Sequence, residues 1–200
     1  MVPFMSGSLF DLVGQRKYLV AKERRAFVMS ALRREKSVCG FCLTLAITGA
    51  RISEVLALTA DRVDVANGAI VFETLKQRKR AVFRAVPAPR QLLRLLEQMH
   101  CAPGHRLWPW CRTKAWNTVK EVMRDADIAQ GLRKPKALRH SFAVEAGQRG
   151  IPLNIVQRWL GHARIETTAI YAGALGIEER KLARQAWKSF EGALPSIDVI

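Results

Sequence analysis

One long apolar segment constrains the fold of this chain more than any other feature. Residues 37–48 (SVCGFCLTLAIT) are apolar on nearly every side, and Gly49 follows them as a typical helix end. A helix that is apolar all round must be buried, so we expect this one at the centre of the fold. Helical spacing also predicts a preceding helix from about Lys22 and a short following helix over Ile52–Leu58.

The periodicity changes from helical to alternating in the middle of the chain. An Asn67-Gly68 turn precedes an apolar run over Ala69–Phe72, and a second, alternating run covers Ala81–Val86. Pro87 follows the second run and ends it. We therefore predict an antiparallel sheet of two or three strands, with the basic segment LKQRKR at a hairpin tip.

Helical periodicity returns after the sheet. Thr167 and Thr168 are predicted to cap a short helix that carries Tyr171, and Gly150 and Gly161 mark helix ends. The fold class predicted from this order is α+β: a mostly α-helical single domain with a small antiparallel β-sheet. The helices predicted here cover Arg90–Met99, Lys114–Ala126, Leu138–Gln148, Asn154–Leu160 and Glu178–Ser189.

The net charge of the chain indicates a polyanionic partner. Lys and Arg number 33 against 17 Asp and Glu, which gives a formal net charge of +16. Cations that neutralise phosphates release condensed counterions, so a chain of this charge suits nucleic acid. The positive charge is spread along the whole chain and is not gathered on one amphipathic helix, which argues against a membrane surface.

Location and cysteine chemistry follow from other segments. No apolar stretch approaches the ~18–20 residues of a transmembrane helix, and the N-terminus lacks the pattern of a secretion signal. We expect a cytoplasmic protein with reduced thiols. Cys39 and Cys42 have CxxC spacing, and Cys101 and Cys111 follow, so a zinc site is conceivable. Because the first pair lies in an apolar helical run, we predict small buried side chains there, and no metal or other cofactor.

Five polar residues carry the chemistry of phosphodiester cleavage: Arg51, Lys76, Arg139, His162 and Tyr171. In-line displacement at phosphorus needs a nucleophile, neutralisation of the non-bridging oxygens and a proton for the leaving oxygen. The phenol supplies the nucleophile, and the two guanidiniums bind phosphate oxygens. The ammonium group protonates the leaving 5′ oxygen, and the imidazole binds a phosphate oxygen or assists proton transfer.

Each of these residues also has a structural alternative. A lone tyrosine such as Tyr171 is most often a core or interface residue. Arg51 can simply pair with Glu54, three residues further on. Lys76 can be one more cation of a basic hairpin tip, and His162, after Leu-Gly, can be part of a helix end. Their joint occurrence in this order favours the chemical role.

Three segments resemble motifs of the tyrosine recombinase (phage integrase) family. TGARISEVLAL resembles its first arginine box, ALRHSFAVEA its second, and LGHARIETTAIY its histidine-to-tyrosine segment. The resemblance implies the catalytic-domain fold of that family and a DNA site-specific recombinase of the integrase or resolvase type. It implies that the five residues above cut and rejoin DNA through a 3′-phosphotyrosyl link, without metal or ATP. It also implies that Glu54 supports Arg51.

The chain departs from the family pattern in two places. Lys136 stands three residues before Arg139, where the family usually has histidine. We expect it to bind phosphate and to activate Tyr171 electrostatically. Few residues precede the resemblance, so we expect no N-terminal core-binding domain. The domain boundaries predicted are residues 1–15 for a lead-in, 16–190 for the catalytic domain and 191–200 for a tail.

The expected partners are double-stranded DNA and further copies of the chain. By resemblance, the tail docks on a neighbouring protomer and gives a dimer or tetramer on DNA, and the alternative is a tail that folds back on its own protomer. Apolar side chains at Leu194, Ile197, Val199 and Ile200 supply a surface to bury. The residues predicted to bind DNA are Lys22, Arg24, Arg25, Arg78, Lys79 and Arg80.

Other functions compete with recombination. The same residues would support a type IB topoisomerase-like activity that nicks and rejoins one duplex without strand exchange. A non-catalytic DNA-binding accessory protein is a second alternative, against which the intact set of five residues argues. RNA binding is disfavoured because the chain lacks interleaved aromatic residues on which bases stack.

Overall fold

Helix α2 (Lys36–Thr48) lies at the centre of the molecule, as its apolar sequence predicts. Phe41 and Cys42 on this helix are fully buried. The structure is a computed structural model, which describes residues 9–74, 82–99, 101–163 and 166–169. Four helices pack around α2: α1 (Ala21–Leu32), α3 (Ile52–Leu56), α4 (Arg90–Glu97) and α6 (Pro135–Gln148).

The cysteines of the CxxC pair are core residues. Cys39 and Cys42 are both buried in α2. Burial raises the pKa of both thiols, that of Cys42 to about 12, so neither is a thiolate near neutral pH. The prediction of small buried side chains at these two positions is confirmed.

A three-stranded antiparallel sheet, β1 (Val63–Asp64), β2 (Ala69–Glu73) and β3 (Phe83–Pro87), lies beside the helices. Its strand order follows the chain, with Ile70 opposite Val86 and Phe72 opposite Arg84. Alternate residues of β2 and β3 are buried, so the sheet turns one apolar face to the helices. Arg84 lies on this buried face between apolar neighbours.

The remaining described helices are α5 (Arg112–Asp125), α7 (Leu153–Leu160) and α8 (Glu166–Ala169), together with 3-10 turns at Ala60–Arg62 and Gln130–Leu132. They confirm the predicted α+β class, mostly helical with a small antiparallel sheet. No helix within the described residues is long and apolar enough to cross a membrane.

Several helix boundaries differ from the sequence predictions by one to three residues, and the start of α6 differs most, at Pro135 instead of Leu138. Helix α3 ends at Leu56 instead of Leu58, because Leu58 accepts a hydrogen bond from the backbone of Leu107 and leaves the helical path. Thr168 lies inside α8 and does not precede it. Its hydroxyl is 2.8 Å from Nδ1 of His162, so it contacts a side chain and does not cap the helix.

Candidate active site

Arg139 bridges the C-terminal ends of two helices. Its side chain projects from α6 and is buried, with the residue 8% exposed. Nη1 donates to the carbonyl of Gly49 after α2 (2.8 Å), and Nη2 donates to the carbonyl of Leu160 at the end of α7 (2.7 Å). The last carbonyls of a helix have no partner within it and carry partial negative charge, so a guanidinium is a favourable partner.

Backbone turns bring these two carbonyls into position. Gly49 and Gly161 end α2 and α7 with φ of 64° each, in the left-handed region that favours glycine. A Cβ at Gly49 would approach Phe142 Cδ1 to 2.5 Å, so the site also needs glycine for space. The sequence prediction that both glycines end helices is confirmed.

Arg51 lies at the N-cap of α3 and shares a carbonyl with Arg139. Its Nη1 donates to Oε1 of Glu54 at 2.8 Å and to the carbonyl of Leu160 at 3.4 Å. Its backbone N–H donates to Oε2 of Glu54 at 2.8 Å. The Arg51 side chain is 23% exposed, so it reaches the surface from this buried anchor. Pairing with Glu54 and a position at the candidate site are therefore compatible.

Glu54 is a buried carboxylate with two arginine partners. Its side chain is 0% exposed, and Arg84 approaches it at 2.7 Å and 3.2 Å. Burial would raise the pKa of Glu54, but hydrogen bonds and charge from Arg84, and then from Arg51, outweigh burial and lower the pKa. Glu54 is therefore ionised at neutral pH.

The sequence analysis missed Arg84 as a residue of the site. A signal for it exists in the alternation of β3, because an inward-facing Val86 places Arg84 on the same face. An arginine at a buried strand position requires a buried acceptor. Nothing in the sequence alone indicates that Glu54 is that acceptor.

His162 follows the turn that ends α7. Gly161 N–H donates to the carbonyl of Arg158 and His162 N–H to that of Gln157, which is the Schellman arrangement. The backbone of His162 thus completes a helix end, as the structural alternative predicted. Its imidazole is partly buried and lies near Arg139, Arg51 and Arg84. Burial, followed by the positive charges of these arginines, lowers the pKa of His162 to about 3. The ring is neutral at physiological pH.

The described part of the site carries an excess of positive charge. We call Arg51, Arg84 and Arg139 the arginine cluster. Two of these guanidiniums, those of Arg51 and Arg84, pair with the ionised carboxylate of Glu54, while His162 is neutral. With Arg139 included, the three guanidiniums and this carboxylate sum to a formal charge of +2. An oxyanion such as a phosphodiester is a suitable ligand for such a site.

The other predicted site residues fall into three groups. Lys136 lies in the first turn of α6, one turn before Arg139, and is exposed. On α1, Lys22 and Arg25 are exposed, whereas Arg24 forms an ion pair with Glu145. The remaining residues lie outside the described residues: Lys76, Arg78, Lys79, Arg80 and Tyr171.

The sequence of this chain is similar to those of tyrosine recombinases. Residues 23–175 match the sequence family described as the Phage integrase family. Tyrosine recombinase XerD of Mycobacterium leprae (strain TN) is 30% identical over 139 residues, which cover 62% of this chain and 44% of the relative. Tyrosine recombinase XerA of Pyrococcus furiosus is 33% identical over 136 residues, covering 62% and 46%. The chain spans about half the length of the curated relatives it matches.

Solved structures show the same fold. The crystal structure of XerA recombinase has a TM-score of 0.69 at 21% identity, covering 86% of this chain and 63% of that chain. XerH site-specific recombinase bound to difH substrate, a pre-cleavage complex, has a TM-score of 0.67 at 22% identity, covering 90% and 60%. The catalytic domain of bacteriophage HP1 integrase has a TM-score of 0.59 at 22% identity, covering 89% and 98%.

Proposed function

The chain belongs to the phage integrase family, and we propose that it is a DNA site-specific recombinase that cuts and rejoins DNA through a 3′-phosphotyrosyl intermediate. One observation carries the proposal beyond family membership. Arg51 and Arg139, 88 positions apart in sequence, donate to the same carbonyl of Leu160, two residues before His162. The fold therefore assembles two guanidiniums and an imidazole from three separate segments.

In the proposed reaction Tyr171 attacks a phosphorus of the DNA backbone. The bond between the phenol oxygen and phosphorus forms while the bond from phosphorus to O5′ breaks, and Lys76 protonates the departing O5′. Arg51 and Arg139 bind the non-bridging oxygens and favour the phenolate form of Tyr171, whose proton passes to solvent. The 5′-hydroxyl of a partner strand then reverses these steps and rejoins the DNA.

His162 and Lys136 have supporting roles in this proposal. With its pKa lowered to about 3, His162 is a poor base, and we assign it as a neutral hydrogen-bond partner of a phosphate oxygen. Lys136, exposed one turn before Arg139, adds positive charge where the family usually has imidazole. An ammonium group stabilises a phosphate without accepting a proton from Tyr171.

A trapped covalent adduct tests the proposal. A library of nicked duplexes of random sequence allows the short 5′ fragment to diffuse away after cleavage and prevents rejoining. Wild type should give a protein–DNA adduct that survives denaturation, and sequencing the captured DNA identifies the site. Tyr171→Phe, which removes only the phenol oxygen, should give none. Equal adduct yields from the two proteins, or no adduct from wild type, would contradict the proposal.

The captured site also separates recombination from the topoisomerase-like alternative. Wild type should convert two duplexes that carry the site into recombinant products. Relaxation of a supercoiled plasmid without recombinant products would favour the alternative.

We further propose that the protein acts in the cytoplasm on double-stranded DNA as a homo-oligomer, with the tail over residues 191–200 docked on a neighbouring protomer. A cavity of about 550 Å3 between α1, α2 and α6 supports this docking. Phe27, Val28 and Phe142 give it an apolar lining, and Arg25 also lines it. The tail offers matching apolar side chains and the acidic Asp198.

Deletion of residues 192–200 tests the docking. The truncated protein should bind one DNA site as wild type does but fail to form the larger complex on two sites, measured by native gel electrophoresis and light scattering. Unchanged assembly would show that the tail does not connect protomers.

A further inference from the structure

Arg84 is a buried cation whose hydrogen bonds all go to other parts of the protein. The residue is 8% exposed and its side chain 6% exposed. Nε donates to the carbonyl of Trp159 at 2.8 Å, Nη1 to Oγ1 of Thr74 at 3.1 Å, and both Nη atoms to Glu54 at 3.2 Å and 2.7 Å. Four of the five N–H donors of a guanidinium are therefore occupied. Arg84 is thus unsuited to bind phosphate itself.

The three partners of Arg84 belong to the three segments that carry the proposed reacting groups. Glu54 lies three residues after Arg51 and also contacts it. Thr74 directly follows β2 and lies two residues before Lys76 in sequence. Trp159 lies in the last turn of α7, three residues before His162. The planar guanidinium of Arg84 therefore fixes Glu54, Thr74 and Trp159 relative to one another.

Charge gives Arg84 a second role beyond geometry. Arg51 and Arg84 share one buried carboxylate, that of Glu54. Because opposite charges attract strongly in a buried site, Glu54 without Arg84 would have Arg51 as its one described cation partner. The carboxylate would then cancel the charge of Arg51 and draw its guanidinium inward. With Arg84 present, the charge of Arg51 stays available to an anion at the surface.

Arg84 also packs directly against the turn that presents His162. A Cβ placed on Gly161 would lie 3.0 Å from Cζ and Nη1 of Arg84, so the guanidinium occupies the space beside this glycine. The hydrogen bond from Nε to the carbonyl of Trp159, two residues before Gly161, holds the same turn in place. Displacement of Arg84 would therefore loosen the position of His162 as well as that of Arg51.

From these contacts we infer that Arg84 is a positioning residue for strand cleavage, which orients Arg51 through Glu54 and the His162 turn through Trp159. The inference rests on the proposed function. A purely structural buried ion pair is the competing explanation. It predicts that loss of Arg84 lowers stability and that the folded fraction of the protein keeps its normal cleavage rate.

Two variants of Arg84 separate geometry from charge in single-turnover cleavage of a nicked suicide duplex. Arg84→Met removes both the hydrogen-bond geometry and the charge. It should slow cleavage by about a hundredfold, because misplacement of a catalytic group by about 1 Å has an effect of that size. DNA affinity should change by about twofold or less. Arg84→Lys keeps the positive charge but loses the planar guanidinium. Its cleavage rate should therefore lie between those of wild type and Arg84→Met. Rates are taken on protein shown to be folded by circular dichroism.

A double variant tests the route through Glu54. In Arg84→Met/Glu54→Gln, the carboxylate that would capture Arg51 is neutral, so cleavage should be faster than in Arg84→Met alone. If Arg84→Met does not fold, the double variant and Arg84→Lys are measured in its place. The double variant has no buried carboxylate at position 54, and Arg84→Lys keeps a buried cation beside it. Arg62→Met is the matched control, since Arg62 pairs with Glu73 on the same sheet at 3.2 Å, and it should cleave as wild type does.

The outcomes distinguish this inference from the function it rests on. No adduct from wild type overturns the proposed function. A wild-type adduct together with normal single-turnover rates in folded Arg84→Met and Arg84→Lys overturns the role of Arg84 alone. A double variant no faster than Arg84→Met overturns the route through Glu54, and where Arg84→Met is unfolded, wild-type rates in both Arg84→Lys and the double variant overturn the role of Arg84.

Discussion

Arginines in two regions of this protein have opposite surroundings. On the surface near α1, Arg16 forms two hydrogen bonds of 2.6 Å with the carboxylate of Glu23, and Arg24 and Arg149 both pair with Glu145. Among the described residues, the guanidiniums of the arginine cluster contact three backbone carbonyls, the Thr74 hydroxyl and the carboxylate of Glu54. The three cluster guanidiniums and Glu54 therefore sum to +2, whereas the three arginines near α1 and their two carboxylates, Glu23 and Glu145, sum to +1.

The difference shows how a protein fixes a cation without neutralising it. A carbonyl at a helix end orients a guanidinium and carries only a partial charge, so most of the positive charge survives. A carboxylate orients the guanidinium equally well but removes that charge. Two hydrogen bonds of Arg139 go to carbonyls of this kind, at the ends of α2 and α7. Arg24 is an example of the second.

Loss of the buried carboxylate should give the largest change in stability. Glu54→Ala leaves Arg84 buried without its ion-pair partner, so the free energy of unfolding should fall by about 3–5 kcal/mol. Urea denaturation measures it. The matched variant Glu73→Ala breaks the half-exposed pair with Arg62 and should cost about 1 kcal/mol or less. Equal losses in the two variants would contradict the contrast between buried and exposed pairs.

Acid should destabilise the region around the cluster. Burial, and then nearby cations, lower the pKa of His140 to about 4 and that of His162 to about 3, from 6.5. The unfolded chain therefore binds more protons than the folded protein, and stability present above pH 6.5 is lost as pH falls towards 4 for His140 and towards 3 for His162. The loss should be about 1 kcal/mol per pH unit for each histidine.

Urea denaturation at pH 7, 6 and 5 measures this dependence, and His140→Gln should remove about one histidine's share of the slope. NMR titration of the imidazole resonances gives an independent measurement. Midpoints near 6.5 for both histidines would show that burial and the nearby cations do not keep them neutral.

The smallest expected effect compares two cations on α1. Lys22 is exposed, whereas Arg24 is paired with Glu145. If both are near DNA, Lys22→Met should reduce the slope of log affinity against log salt by about 1, and Arg24→Met should reduce it by less. Neither change should alter the free energy of unfolding by more than about 1 kcal/mol. A larger slope change for Arg24→Met would show that its pair opens on DNA.

Local patterns predicted the helices, the sheet and one part of the site. The pairing of Arg51 with Glu54 was among the predicted alternatives because the two lie three residues apart, within reach across one helical turn. Gly49 and Gly161 were predicted as helix ends because glycine adopts the left-handed conformation without strain. These features depend on a few consecutive residues, and local physics is sufficient for them.

Contacts between distant segments were not predictable in this way. The acceptors of Arg139 are backbone carbonyls at Gly49 and Leu160, and a carbonyl is present at every residue whatever its side chain. Arg84 and Glu54 are 30 positions apart in the chain, and the packing of the sheet against α3 and α7 brings them together. The sequence by itself determined the kinds of groups present and the elements that carry them. The tertiary structure alone decided which cations are neutralised and which keep their charge, because that depends on the partner each one meets in the folded chain.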